Sequence, residues 1–105
     1  MFDTIKQMLG MGPAANFTAL IERDAQIIDV RTVDEFQGGH IRGSVNIPLQ
    51  SLDRHLSKIN KDKPVITCCA SGMRSAAAKR LLESKGYSEV VNGGGWAGLQ
   101  MRLRK

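Results

Sequence analysis

The chain has 105 residues, with 15 Lys and Arg against 10 Asp and Glu for a net charge of +5. That length suits one domain burying about two-thirds of its unfolded surface, and it leaves no room for a second. The basic residues are scattered except in Met101-Arg102-Leu103-Arg104-Lys105, and aromatics for base stacking are scarce, which argues against nucleic acid and for small anionic substrates or acidic partners.

Residues 1–15, rich in Met, Gly and Ala, read as an appendage to a domain over residues 16–105. Phe2, Ile5, Met8 and Leu9 share one face of a short helix, ended by Gly10, Gly12 and Pro13. That face either packs on the domain or meets a partner or a membrane surface. Asn16-Phe17-Thr18 opens a second short helix that runs through Glu22. Residues 25–30, an apolar run rich in β-branched side chains, form a strand buried on both faces. Asp34-Glu35-Phe36 makes one helical turn and residues 38–43 a tight loop. Residues 44–47 form a short strand closed by Pro48.

Leu49, Leu52, Leu56 and Ile59 are spaced as the buried face of a helix. Residues 64–68 read as a buried strand. Residues 75–85 read as a helix stopped by Gly86 in the left-handed cap position. Residues 89–92 form a last strand, with Trp96 in a final helix. Strands alternating with helices predict an α/β fold: a small parallel sheet covered on both faces, with ligand sites at the carboxyl ends of its strands.

Cys69 lies at such an end, at the mouth of the small-residue loop Cys69-Ala70-Ser71-Gly72-Met73-Arg74-Ser75 that runs into a helix. Unpaired N–H groups and a partial positive charge at a helix start favour a thiolate over a thiol. Lowering a thiol pKa from about 8.5 to about 6.5 takes about 2.7 kcal/mol, within reach of a helix terminus plus one guanidinium. Arg74 is placed to return its side chain over the loop's rim, and Gly72 supplies the positive φ such a curl needs. The adjacent Cys68 and Cys69 cannot form an ordinary bridge, and the sequence shows neither a signal-peptide pattern nor a bilayer-length apolar stretch. A reducing cytoplasm is the expected compartment.

Two motifs in order give the chain its family likeness: Ile28-Asp29-Val30-Arg31 with Glu35-Phe36, Gly39-His40-Ile41-Arg42-Gly43-Ser44 and Asn46-Ile47-Pro48; and the Cys69–Ser75 loop. Over about residues 17–99 the chain resembles a single-domain rhodanese, of the thiosulfate sulfurtransferase family. The resemblance implies that Cys69 takes a sulfane sulfur from thiosulfate or a similar anionic donor and passes it, as a persulfide, to cyanide, a thiol or a dithiol. The N–H groups of Ala70, Ser71, Gly72, Met73, Arg74 and Ser75 would cradle persulfide and donor. Arg74 would clamp the donor or buttress the loop through its carbonyls. Two features depart from the family's usual pattern. Ala70 is neutral where many members carry Arg or Lys, which counts against doubly charged thiosulfate, and Trp96 follows the glycines sooner than usual.

Two other functions compete. Cys68 is followed by five residues and then Arg74, the spacing of a phosphatase loop of the dual-specificity type, though no acid for the leaving group is evident. Alternatively, the domain is a relay whose Cys69 exchanges persulfide with a protein partner docked by Arg102, Arg104 and Lys105 or by residues 1–11. His40 suits a loop-fixing hydrogen bond and His55 a solvated helix face. Neither stands at zinc-ligand spacing from the cysteines, so no metal or cofactor is expected. Asp29, Arg31 and Glu35 suit buried ion pairing. Trp96 suits a cover for the core and Met73 an apolar lip on the pocket. Ser71 and Ser75 either donate to the loop or cap the helix.

Overall fold

The computed structural model describes residues 16–103; the expected amphipathic helix of the amino terminus and the last two residues lie outside them. Four parallel strands form one sheet in the order β2-β1-β3-β4: β1 Gln26–Asp29, β2 Val45–Asn46, β3 Val65–Cys69 and β4 Val90–Gly95. Among the described residues four α-helices flank them: α1 Phe17–Glu22, α2 Val33–Gln37, α3 Met73–Ser84 and α4 Trp96–Leu103. Among the described residues no helix is long and apolar enough to cross a membrane.

Side chains alternate across each strand, so the sheet divides the core in two. On one face Ile28, Val30, Val65, Cys69 and Val90 pack with Ile47, Leu52 and Ile59 and with Ala78 and Leu82 of α3. On the other, Ile27, Ile66 and Cys68 pack with Phe17 and Leu20 of α1 and Leu99 of α4. Leu52, Ile66, Leu82 and Leu99 are at most 1% exposed, each worth about 1.5–3 kcal/mol of burial. The chain leaves β1 towards β2 and leaves β3 towards β4, on opposite sides, so the carboxyl ends of β1 and β3 form a switch point, the place where sheets of this kind hold ligands.

The helix ends follow local chemistry. Asn16 caps α1 by accepting from the Ala19 N–H at 3.0 Å. Thr32 and Glu35 form a reciprocal capping box on α2. Gly86, at φ 97°, closes α3 as expected. The Tyr87 N–H reaches the Leu82 carbonyl and the Gly86 N–H that of Glu83, the two bonds of a Schellman cap.

Several expectations are corrected. The helix over Leu49–Ile59 is instead two 3₁₀ segments, Leu49–Arg54 and Leu56–Lys58, broken at His55. Leu49 and Leu52, then Leu56 and Ile59, are each three apart, which a three-residue turn buries as well as an α-helix does. The Ser51 hydroxyl donates to the Pro48 carbonyl, and the His55 ring takes up the Ser51 carbonyl at 2.9 Å, an acceptor that an α-helix would give to an N–H. His55 is accordingly half-buried rather than on a solvated helix face. Helix α3 begins at Met73, two residues before the expected Ser75, and β3 runs through Cys69 rather than stopping at Cys68.

Strand β4 also runs on through its glycines, past the expected end at Asn92. A Cβ on Gly93 would meet Leu99, Ile66 and the Thr67 carbonyl at 2.8–2.9 Å, and one on Gly95 would meet the Ala70 carbonyl at 2.9 Å. Glycine, ordinarily poor in strands, is required here for close approach. Between Thr67↔Asn92 and Cys69↔Gly95 the register slips by one residue on β4, a bulge in which Gly94 takes φ 79°.

Candidate active site

Strand β3 aims Cys69 towards α3, and the three-residue loop 70–72 folds over it. The thiol therefore lies beneath the loop rather than at its mouth, only 1% exposed, while Ala70 and Ser71 face solvent. Its surroundings nonetheless point at it. The Gly72 N–H is 2.9 Å from Sγ and the Ser75 N–H 3.3 Å. Gly72, at φ 107°, supplies the left-handed turn that brings its N–H inward. Burial alone would raise the Cys69 pKa; the Ser75 hydroxyl and the N–H groups of Ser75, Gly72 and Ser71 outweigh it and hold it below the ordinary thiol value.

Ser75 is buried, and its hydroxyl is the hinge of the site. It lies 3.5 Å from Sγ, 2.6 Å from Asn92 Oδ1 and 3.1 Å from the Gly72 carbonyl. With Cys69 a thiol, S–H donates to the hydroxyl, which donates on to Asn92; with a thiolate, the hydroxyl can turn its proton to sulfur. The Ser75 carbonyl accepts from Thr67 Oγ1 at 2.9 Å, tying the start of α3 to β3.

Asn92 was not among the candidate site residues. The bulge in β4 presents it to the site, where Oδ1 also accepts from the Gly94 N–H at 2.9 Å. The signal available in the sequence was one amide side chain inside Val90-Val91-Asn92-Gly93, a polar break in an apolar strand.

Arg74 does not curl over the loop or hold its carbonyls. Its guanidinium makes a two-pronged pair with Glu35 across the site, at 2.7 and 3.0 Å. That hydrogen bond, with those from the Thr32 N–H and hydroxyl, lowers the Glu35 carboxyl to about 2. The expected buried pairing is made by Asp29 and Arg31 alone, at 2.7 Å, while Glu35 is half-exposed. Arg31 also donates to the Glu35 and Gly39 carbonyls and lies 4.8 Å from the centre of the Trp96 ring, so it knits β1, α2 and α4 together. His40 makes the expected loop-fixing contact, its ring 2.7 Å from the Phe36 carbonyl and stacked on the Phe36 ring at 3.7 Å. Met73 is 80% exposed at the loop's edge, and Ser71 contributes its N–H rather than a resolved hydroxyl contact.

Cys68 points the other way, fully buried against α1 and α4, and burial first and the Asp29 carboxylate second push its thiol up to about 12. A phosphatase loop built on Cys68 is therefore not assembled, since the amides of the loop converge on its neighbour.

The rhodanese-like domain model matches residues 13–101. The chain is 46% identical over 70 residues to the uncharacterized protein YqhL of Bacillus subtilis, covering 67% of this chain and 56% of the relative, so it spans little more than half that protein's length. It is 36% identical over 76 residues to the thiosulfate sulfurtransferase PspE of Escherichia coli, covering 70% and 73% of the two chains. A solved structure described as a rhodanese with anions from E. coli superposes with a TM-score of 0.64 at 35% identity, covering 70% of this chain and 88% of that one.

Proposed function

The chain belongs to the rhodanese-like domain family, and from that premise we propose that it transfers a sulfane sulfur from a donor to a thiophilic acceptor through a persulfide on Cys69. The observation that carries this reading is the pair of N–H groups, of Gly72 and Ser75, aimed at Sγ from the amino-terminal end of α3. Relatives such as PspE, a thiosulfate sulfurtransferase, support the class of reaction.

In the first step the Cys69 thiolate attacks the outer sulfur of the donor. A new S–S bond forms, the donor's own bond to that sulfur breaks, and the leaving group departs with the electron pair: sulfite from thiosulfate, a thiolate from an organic persulfide. In the second step an acceptor nucleophile takes the outer sulfur and returns the Cys69 thiolate. Each step exchanges one sulfur–sulfur bond with a nucleophile, so neither a base nor a redox cofactor is needed. The amides around the thiolate do the electrostatic work, because dipoles fixed by the fold need no reorganisation as charge moves from Sγ to the outer sulfur. Residues 70–75 would receive the donor: Ala70 and Ser71 face solvent, Gly72 and Ser75 aim N–H groups at Sγ, and Met73 and Arg74 open α3.

Loading the protein with a sulfane-sulfur donor and mapping the adduct tests this. The tryptic peptide Asp62–Arg74 carries both cysteines, so the mapping needs C68S and C69S proteins as well. One added sulfur retained in C68S and absent in C69S is the expected result; retention in C69S overturns the reading.

A further inference from the structure

We propose that residues 1–9 dock on their own domain, seating Phe2, Ile5, Met8 and Leu9 in the apolar groove between α1, α4 and the loop that carries Ile41. This contact lies on the Cys68 side of the sheet and does not depend on the sulfur-transfer reading.

The groove has a volume of about 540 Å³, and its apolar lining is Ile21 of α1, Ile27 of β1, Ile41 and Leu103 of α4. Helix α1 turns Phe17 and Leu20 into the core but leaves Ile21 39% exposed, and Leu103 across from it is half-buried. A single exposed apolar side chain is ordinary. Several of them lining one concavity make a binding groove. A space of about 150 Å³ takes one benzene ring, so this one has room for three or four apolar side chains.

The sequence carries an occupant of that size beside the groove. Phe2, Ile5, Met8 and Leu9 recur at helical spacing, and a helix of nine residues is too short to hold in water unless that face is buried. Residues 10–15 join the segment to Asn16, the cap of α1, two residues ahead of Thr18, which also lines the groove. Six residues reach up to about 20 Å, whereas α1 is about 9 Å long, so the segment can turn back over it. So short a tether holds the segment at an effective concentration in the millimolar range, which a free partner or a second copy does not match. Charge agrees, because Arg42 lines the groove and the segment brings an acid, Asp3, beside Phe2. The polar face of the segment, Asp3, Thr4, Lys6 and Gln7, has one lysine, where a helix lying on an anionic membrane is rich in them.

Photo-cross-linking of the full chain with Phe2→p-benzoylphenylalanine tests the contact, using an equal mixture of light and isotopically heavy chains at micromolar concentration. Adducts within single chains that join position 2 to Ile21, Ile41 or Leu103 are the expected result. Adducts of mixed mass would make the occupant a second copy, and loss of the groove adduct on phosphatidylglycerol vesicles would make it a lipid surface. Either outcome, or irradiation that leaves the groove unlabelled, overturns the proposal. Urea unfolding of the full chain gives an independent reading. I5A and I21A should each raise the unfolding constant about fivefold, and the double variant should also raise it about fivefold, since each change removes the same contact. A double variant at the product, about twenty-five-fold, overturns the docking.

Discussion

Cys68 and Cys69 are neighbours on one strand, yet the two sides of the sheet treat them as different functional groups. On the α3 side, Cys69 meets a hydroxyl and converging N–H groups and ionises below the usual thiol range. On the α1 and α4 side, Cys68 meets Ile66, Leu99 and the Asp29 carboxylate and is pushed up to about 12. Both side chains are almost without solvent contact, at 0% and 1% exposure, so exposure does not separate them. Burial penalises both thiolates; at Cys69 the donors facing the sulfur outweigh it, whereas at Cys68 the Asp29 carboxylate adds to it.

The sharpest way to break the comparison is to remove each sulfur in turn. C69S should lower persulfide-dependent turnover on the order of a thousandfold or more, whereas C68S should stay within a few-fold of the wild type, as read by steady-state transfer assays. Loss of activity in C68S with native folding would reverse the assignment of the two sides.

Alkaline titration separates them next. The folded Cys68 thiol keeps its proton to about pH 12, while an unfolded thiol releases it near about 8.5. Because the folded pKa is the higher, the stability from this residue is complete below about pH 8.5. It is lost as pH rises towards 12, at about 1.4 kcal/mol per unit. Urea titrations at pH 8.5 and 10.5 should show the wild type losing about 2 kcal/mol more than C68A over those two units. Cys69 runs with the opposite sign: its folded pKa is lowered, so its contribution is present above the unfolded pKa and fades as pH falls through the folded value.

A smaller effect comes from the hydroxyl relay. S75A removes the side-chain donor to Sγ, worth about 1 kcal/mol, and should slow iodoacetamide alkylation of Cys69 at pH 7 by about fivefold while moving the rate midpoint to higher pH. N92A, which leaves the hydroxyl in place but removes its acceptor and the contacts to Gly94 and Gly72, should shift the same profile less. An unchanged midpoint in S75A would mean that the amides alone set the thiol. R74K is expected to do least. It keeps the charge and loses the fork geometry on Glu35, so transfer should stay within about threefold of wild type. A large rise in donor KM would instead put Arg74 on the substrate.

Much of this arrangement was legible from residue order. The β-branched runs, the Gly86 stop and the small-residue loop after Cys69 are local signals, and they placed the sheet, α3 and the candidate thiol near their observed positions. Leu49, Leu52, Leu56 and Ile59 misled as to helix type because three-residue spacing fits both a 3₁₀ turn and an α-helix. Their burial was read correctly for Leu52 and Ile59, since either geometry turns them inward. Asn92 and the partner of Arg74 were not legible. Asn92 meets Ser75 across 17 residues of chain and Arg74 meets Glu35 across 39, and such pairings follow from sheet order and bulge geometry rather than from any nearby pattern.

Residue order by itself determined that two thiols stand at the end of a buried strand, ahead of a glycine able to turn the chain into a helix. Tertiary structure decided which thiol is acidic, what restrains Arg74 and how the Ser75 hydroxyl is aimed. The physical reason is that alternation assigns neighbouring side chains to opposite faces, while the polarity of each face comes from distant segments packed against it. A hydroxyl, an amide or a carboxylate acts over a few ångströms, and only the folded sheet brings α2, α3 and β4 within that range.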